Sequence, residues 1–560
     1  MKQGQTARGA RPPRQGDFIM RVLAITPALL LLGAALPPAA GFATAGFSPR
    51  WCGDAVQTGE RPTILPGYGQ GGFPIRTSNP EAQAFFSNGM QLAHAFAHKA
   101  AVGAMQESRR LDPNCAMCSW GEAYAAGPTI NYPIDDAERK RLAEVTANAE
   151  RLAADGPEKE RRLIAAMKLR YAGDAKQGNK GFADAMDALA RAYPDDDSIA
   201  VVASDALLIA SDAKPDQMAR PVALLETVLQ RNPDYAPAIH FYIHATEIAG
   251  FPKRAEPYAN RLASIAPAAS HLIHMPSHTY YWVGRYEDAA AANLKAVELG
   301  FANARRLKLP EPDGVWTLAY HGHNVQFGIG GALMAGDAVR GLAIARPLVE
   351  MGGRAPKLDS FQQVVLAQGY IAVARFAPLA ETLAIAPPPK GAEGAQALWH
   401  YARGEAYARA GDRAGLVAEA RAMPGKIKGN PLEGSTNAAI KLARLVLEGR
   451  KAMLDNRPDR AAKAFGRAAA IEEAKPLAEW TDPPLWWYPV RRDLAAALLV
   501  QGKTKEALAE IEVSLRHRPL DPVALATRSQ IQAALGNASA ARGDRAVALA
   551  RWRGTAATLG

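Results

Sequence analysis

From residue 80 onward, apolar residues return every three to four positions, in runs separated by Gly, Asp or Pro. That spacing is the one-face periodicity of amphipathic helices. Strictly alternating or β-branched runs are scarce, so the pattern predicts an all-α chain of short helices. The runs are themselves periodic. GFPKRAEPYANRLASIAP aligns with GRYEDAAAANLKAVELG, so that Gly250 and Ala255 return 34 residues later as Gly284 and Ala289. GKTKEALAEIEVSLRHRP aligns with GNASAARGDRAVALARW, and Gly502 and Ala507 return at the same 34-residue interval as Gly536 and Ala541. A fixed period of this length means one helix–turn–helix unit stacked on copies of itself, because a single unit cannot bury its apolar face alone.

The pattern ahead of residue 80 is different. Lys2, Arg8, Arg11, Arg14 and Arg21 precede the apolar run VLAITPALLLLGAAL, and PPAAGFATA then sets Ala43 and Ala45 at A-x-A spacing. The run is too short to span a bilayer and contains Pro27, so residues 1–45 are expected to be a secretory signal peptide. Met20 offers a second start, from which MRVLAITPALLLL reads as a complete signal, and no Cys stands at the cleavage point to carry a lipid. The expectation is a periplasmic or secreted protein with no stable membrane insertion after cleavage. Residues 46–79, rich in Gly and Pro, read as an extended arm. Residues 80–310 and 311–560 read as two helical arrays.

The formal charge is +11, of which +4 sits in residues 1–45, leaving +7. Those charges alternate with acids and form no basic block between aromatics, which excludes a nucleic-acid footprint. Export implies an oxidising compartment where disulfides persist. Of Cys52, Cys115 and Cys118, the last two stand at CxxC spacing in NCAMCSW near a helix N-terminus, where a thiol pKa is lowered. A disulfide involving Cys52, a redox dithiol and a metal pair all remain open there. There is no CxxCH for haem and no βαβ pattern of a thioredoxin.

The 34-residue unit resembles the tetratricopeptide repeat (TPR) family. Pro113, Pro233, Pro267 and Pro519 stand where that family closes its second helix, Gly89 and Ala101 are small where it is small, and SWGEAYAAG supplies Gly121 and Tyr124 at its spacing. The resemblance is strong over 236–303 and 488–555. It is weaker over 150–230 and 305–480, where PPPKGAEG and PGKIKGNPLEGS interrupt the period, and residue 301 is Phe where a closing Pro is expected. The resemblance implies a right-handed α-solenoid of TPR-like repeats, in which the first helix of each repeat lines a concave groove. HFYIHATE, HLIHMPSHTYYWVG, YHGHN and WWYPVRRDLAAALL resemble one branch of exported bacterial TPR proteins, which supports the fold and specifies no activity.

The chain has 11 histidines in 560 residues, and three of them fall in HLIHMPSH. With Gly250 and Gly284 at the fifteenth place, the repeats start at Ala236 and Ser270. His240 and His274 then share the fifth place, His244 and His278 the ninth, and Glu247 and Tyr281 the twelfth. His271 occupies the second. Spacings of four and seven keep side chains on one helical face, and the resemblance implies that these places face the groove. Packed helix axes lie about 8–10 Å apart, close enough for imidazoles of two helices to share an ion. Imidazole suits Zn, Cu, Fe or Ni. The expected metal set is therefore His240, His244, Glu247, His274 and His278, with His271, Tyr281 and His323 as further ligands or groove residues. The alternative is a polar groove wall of mutually hydrogen-bonded His and Tyr. Pro276 either kinks its helix or starts a new one. His323, with His321 in YHGHN, either joins the cluster or caps a helix. His94 and His98 form a third i,i+4 pair, in which His98 reads as a packing residue.

In LWWYPVRR, Trp487, Tyr488, Arg491 and Arg492 form a candidate ligand groove, since Arg presents a fork to carboxylates. No phosphate-binding Gly loop, G-x-S-x-G or HExxH is present. Three functions remain open: a binding protein holding a peptide, protein or small molecule in its groove beside a His-bound Zn, Cu or Fe; a metal-dependent hydrolase or oxidoreductase acting at the same cluster; and a metal-free interaction scaffold.

Overall fold

The computed structural model describes residues 61–559; the expected signal peptide, Cys52 and the first part of the arm lie outside the described residues. Every regular element among the described residues is helical, and consecutive helices pack as hairpins. In the strong central repeats the first helices are Ala236–Ile248 and Ser270–His274, the latter continuing as Pro276–Trp282; the second helices are Glu256–Ile265 and Tyr286–Arg306. The arrangement recurs in Arg491–Val500, Thr504–His517, Pro522–Ala534 and Ala538–Arg551.

Glycine sets the hairpin turns. Gly250, Gly284, Gly502 and Gly536 have φ of 82°, 80°, 75° and 83°. A Cβ on Gly250, Gly502 or Gly536 would meet nothing within 4 Å, so the left-handed dihedral and not crowding selects glycine there. At Gly284 crowding is added, because a Cβ would lie 2.3 Å from the carbonyl oxygen of Pro519. Pro276 starts its helical piece, and Met275 before it keeps φ −50° and ψ −38°. The chain therefore stays helical in dihedral through the break while losing the hydrogen bond that a residue with an N–H would make.

The groove expected along positions 240–278 is filled by the chain itself. On one side the arm crosses the first helices: Ala236 N–H donates to Gln70 Oε1 (3.1 Å) and Ala268 N–H to Gly67 O (2.9 Å). On the other the C-terminal repeats fold back. Tyr281 OH donates to Trp487 O (3.0 Å), Tyr286 OH to Pro519 O (2.8 Å) and Arg551 Nη1 to Gly284 O (3.2 Å). All of Ala236–Ile248 is buried as a result. The apolar core changes over in the same place: one cluster runs from Tyr68 to Tyr280 and takes in Tyr320, and the next runs from Tyr281 to Ala497. Cys115 and Cys118 are joined as a disulfide at the start of Ala116–Ala125. No helix among the described residues is long and apolar enough to cross a membrane.

Several titratable groups are packed as core. His94 lies edge-on to Tyr124 and Phe241, and His321 edge-on to Phe301 and Trp316. Burial pushes His94 and His321 down to about 3 and His98 down to about 4. Burial also pushes Asp205 up to about 6 and Glu472 up to about 8. The two sets act oppositely. Below roughly pH 6.5 the unfolded chain takes up protons that the three folded histidines refuse, so their stability is lost as pH falls, by about 1.4 kcal/mol per pH unit for each group. The two acids are favoured protonated in the fold, and their penalty grows as pH rises through the folded values. Three histidines outweigh two acids, and most imidazoles of the neighbouring cluster act in the same direction. The urea midpoint of the metal-free protein should therefore fall steadily from about pH 6.5 to about pH 5. A midpoint that rises over that interval would mean that these imidazoles are not held neutral.

Candidate metal centre

Three consecutive first helices and one distant loop build the centre. The helix Ala236–Ile248 carries His240, His244 and Glu247 one turn apart along one face. The broken helix carries His271 and His274 before Pro276, and His278 after it. The helix His321–Ala335 adds His323, entered through Tyr320 in the left-handed region at φ 62°. Asp482 arrives from the loop ahead of Trp486 and Trp487. His240, His274 and His278 are 0% exposed.

Hydrogen bonding to the outer nitrogens decides where the lone pairs point. His240 Nδ1 donates to the carbonyl oxygen of His94 (2.7 Å). His274 Nδ1 donates to Asn293 Oδ1 (2.6 Å), and Asn293 is oriented by its own Nδ2 donating to Ala289 O (2.7 Å). His278 Nδ1 donates to Glu247 Oε2 (2.8 Å), whose other oxygen accepts from Trp282 Nε1 (2.8 Å). With Nδ1 protonated in all three rings, each Nε2 is a bare acceptor. Yet His274 Nε2 lies 2.8 Å from His278 Nε2, and His240 Nε2 lies 3.2 Å from His271 Nε2. His244 Nε2 and His271 Nδ1 are buried without a hydrogen-bond partner. Backbone carbonyl, amide and carboxylate partners on the outer nitrogen are the arrangement that aims metal-ligating histidines.

The surroundings keep these rings neutral. Phe96 lies 4.9 Å from His271 and 4.5 Å from His240; Phe327 lies 4.5 Å from His278 and 5.1 Å from both His274 and His323. Burial, and then the neighbouring imidazoles, hold His244, His271 and His274 well below the ordinary value, and burial with His278 does the same to His323. Burial brings His240 down to about 3. Neutral imidazole is the form that binds metal. For His278 burial also acts downward, but Asp482 and Glu247 outweigh it and the value is raised. Asp482 is pushed up to about 7 by burial, with Glu247 adding repulsion against the pull of His278.

A cavity of about 370 Å³ reaches the centre, with His244, Glu247 and Asp482 in its wall and Tyr132, Asn179 and Asp212 farther along it. A second, of about 290 Å³, meets His271, Phe96 and Tyr320 from the arm side.

Of the residues expected from sequence, the structure brings together His240, His244, His271, His274, His278 and His323. Glu247 joins them, within reach of His244 and His278 as a candidate ligand, and its two oxygens accept from His278 Nδ1 and Trp282 Nε1. Tyr281 turns away toward Trp487. Sequence reasoning missed Asp482, Asn293, Phe96, Phe327 and the His94 carbonyl. Asp482 lies more than 200 residues along the chain from His278, and nothing in TDPPLWW marks it. Trp487, Tyr488 and Arg492 gather around a separate cavity of about 50 Å³. There the Arg492 guanidinium covers both rings at 4.9 and 4.1 Å and pairs with buried Asp521 at 3.1 Å. Arg491 does not join them; it pairs with Glu473 (2.6 Å) and Glu510.

No family model matches the chain, and no curated protein matches it. Among solved structures it is similar to the human IFIT1 dimer with m7Gppp-AAAA, at 13% identity over 85% of this chain and 91% of that one, with a TM-score of 0.30. It is similar to the APC/C hetero-tetramer Cut9–Hcn1 at 10% identity, covering 87% and 76%, with a TM-score of 0.28. It is also similar to the TPR domain of P58(IPK) at 12% identity, covering 82% and 98%, with a TM-score of 0.20. Scores this low transfer no ligand or activity. By its own 34-residue hairpin repeat, the chain is a TPR-type α-solenoid.

Proposed function

We propose that this is an exported TPR-type metalloprotein whose histidine cluster holds a transition metal and presents it to a small ligand. The observation that carries the reading is the set of three outer hydrogen bonds, from His240, His274 and His278, that leaves Nε2 acceptors facing other imidazole nitrogens at 2.8 and 3.2 Å. At 2.8 Å the Nε2 atoms of His274 and His278 repel unless a proton or a cation lies between them; burial disfavours the proton on His274, Glu247 and Asp482 favour it on His278, and the buried, unpartnered His244 Nε2 and His271 Nδ1 weigh for the cation. An all-imidazole donor set suits Zn, Cu or Fe. The filled groove favours a small molecule over a folded partner or a long peptide. Export rests on the signal-like residues 1–45, and the Cys115–Cys118 disulfide suits an oxidising compartment.

A second reading, a metal-dependent hydrolase or oxidoreductase, is favoured by the cavity of about 370 Å³ that ends on His244 and Asp482. A ligand there would meet the coordination sphere directly, and a bound metal would supply Lewis acidity or an activated water at such a position. His244 and His278 would hold it, Glu247 would fix the ring of His278, and Asp482 would face the incoming ligand.

The protein purified without a histidine tag should carry at least one transition-metal ion per chain by elemental mass spectrometry. The paired replacement His244→Ala with His278→Ala should remove it while the helical circular-dichroism spectrum stays. No metal after loading with Zn, Cu and Fe would sink the reading and leave the interaction scaffold. Glu247→Gln tests the outer shell separately. The amide puts an NH2 where one of the two accepting oxygens stood, facing the N–H of either His278 or Trp282, so metal affinity should drop on the order of 10- to 100-fold, measured by competition with a chelating dye.

A further inference from the structure

The cluster contains more ligands than one ion can use, and their grouping is not random. Three sets place one ligand atom from each member within 4.8 Å of the others: His240, His244 and His271; His274, His278 and His323; and His244, Glu247 and His278. We infer that the centre is built for two transition-metal ions, one held by His240, His244 and His271, the other by His274, His278 and His323. This rests on the metal reading above and extends it.

The sets overlap in a way that permits few occupancies. The third shares His244 with the first and His278 with the second, so an ion seated there removes a ligand from both neighbours. The first two share nothing and fill together. The third also needs Glu247, whose two oxygens already accept from His278 Nδ1 and Trp282 Nε1. An ion there would have to share Glu247 with both of those donors, which the other two seats leave undisturbed. In those seats Glu247, Asn293 and the His94 carbonyl all stay in place as outer partners.

The repeat gives an independent reason. Each triad takes an H-x-x-x-H pair from the first helix of one repeat and a single His from the first helix that follows: His240 and His244 with His271, then His274 and His278 with His323. The second seat is the first moved on by one repeat, as a solenoid moves every local feature on. Each triad also contains one close Nε2–Nε2 approach, 3.2 Å in the first and 2.8 Å in the second. Each has its own aromatic wall, Phe96 for the first and Phe327 for the second. Across the divide, His244 and His278 have ring centres 5.3 Å apart, and His271 and His274 5.5 Å. The two ions would therefore be neighbours in one centre.

The test is a stoichiometry. The full untagged protein, stripped with chelator, is titrated with Zn(II) by calorimetry, and the zinc retained after desalting is counted by elemental mass spectrometry. Two equivalents are expected. His271→Ala should lower the count to one, as should His323→Ala, and the double variant should retain none. One equivalent in the wild type, lost with Glu247→Gln, would overturn the two-ion inference in favour of the central seat and leave the proposed function standing. Two equivalents that neither single variant reduces would also overturn it, by placing the ions elsewhere. Zero equivalents would overturn both. The wild-type count decides between one seat and two even if a variant does not fold.

Discussion

Imidazole nitrogens facing one another in a dry interior are the constraint around which the middle of this molecule is arranged. A buried polar atom without a partner costs on the order of 1–3 kcal/mol, and His244 Nε2 and His271 Nδ1 are both in that condition. At 2.8 Å the Nε2 atoms of His274 and His278 also repel when both rings are neutral, whereas at 3.2 Å His271 can donate from Nε2 to His240. Protonation is open only to His278, beside its two carboxylates, where it would bridge to His274; Phe96, Phe327 and the surrounding helices make charged imidazole costly at the other rings. A polar groove wall, the simpler reading, would be expected to pair donors with acceptors across the rings. Here the donors on His240, His274 and His278 are instead spent on groups outside the cluster. A cation among the inward nitrogens resolves the conflict in one step.

The solenoid supplies both the histidines and their protection. Stacking equivalent helices brings the fifth and ninth places of successive repeats side by side, so two H-x-x-x-H pairs become one cluster without a dedicated loop. A solenoid alone would leave that cluster in an open groove, where water would screen and hydrate it. The fold-back closes it, with the arm crossing at Gln70 and Gly67 and the C-terminal repeats docking through Trp487 and Pro519. Gly284 shows how tightly the two halves meet: the glycine that turns one hairpin is also where the Pro519 carbonyl must approach. The cluster sits where one apolar core gives way to the next, so its side chains come from both sides of that seam.

The legible part of this architecture was the part that repeats. Gly250 and Gly284 mark a left-handed turn that few other residues accept, and once they are aligned the histidine places follow by counting. His271, His274 and His278 were readable for that reason, and so was the break at Pro276. The long-range part was not legible. Asp482 and Asn293 act on the cluster through tertiary docking that no periodicity encodes, and His94 contributes a backbone carbonyl, which has no sequence signature at all. Glu247 was placed on the right face, but its role turned on Trp282 and His278 each claiming one oxygen. The concave groove was expected from the repeat resemblance, and its filling depends on an irregular arm and on loops that interrupt the period.

The placement of Asp482 bears on what the centre can do. Its Oδ1 accepts no hydrogen bond although it is buried, and it lies 3.2 Å from His278 Nδ1 and 3.8 Å from His323 Nε2. His278 gives its proton to Glu247, so Asp482 is left facing the cavity of about 370 Å³ with an acceptor to spare. A purely structural metal site closes its sphere and keeps unsatisfied carboxylates away from it. Here a spare carboxylate and an unpartnered imidazole nitrogen share the wall of one cavity. That placement favours the proposed reading, in which a small ligand enters and leaves, over one in which the cluster only holds the fold together.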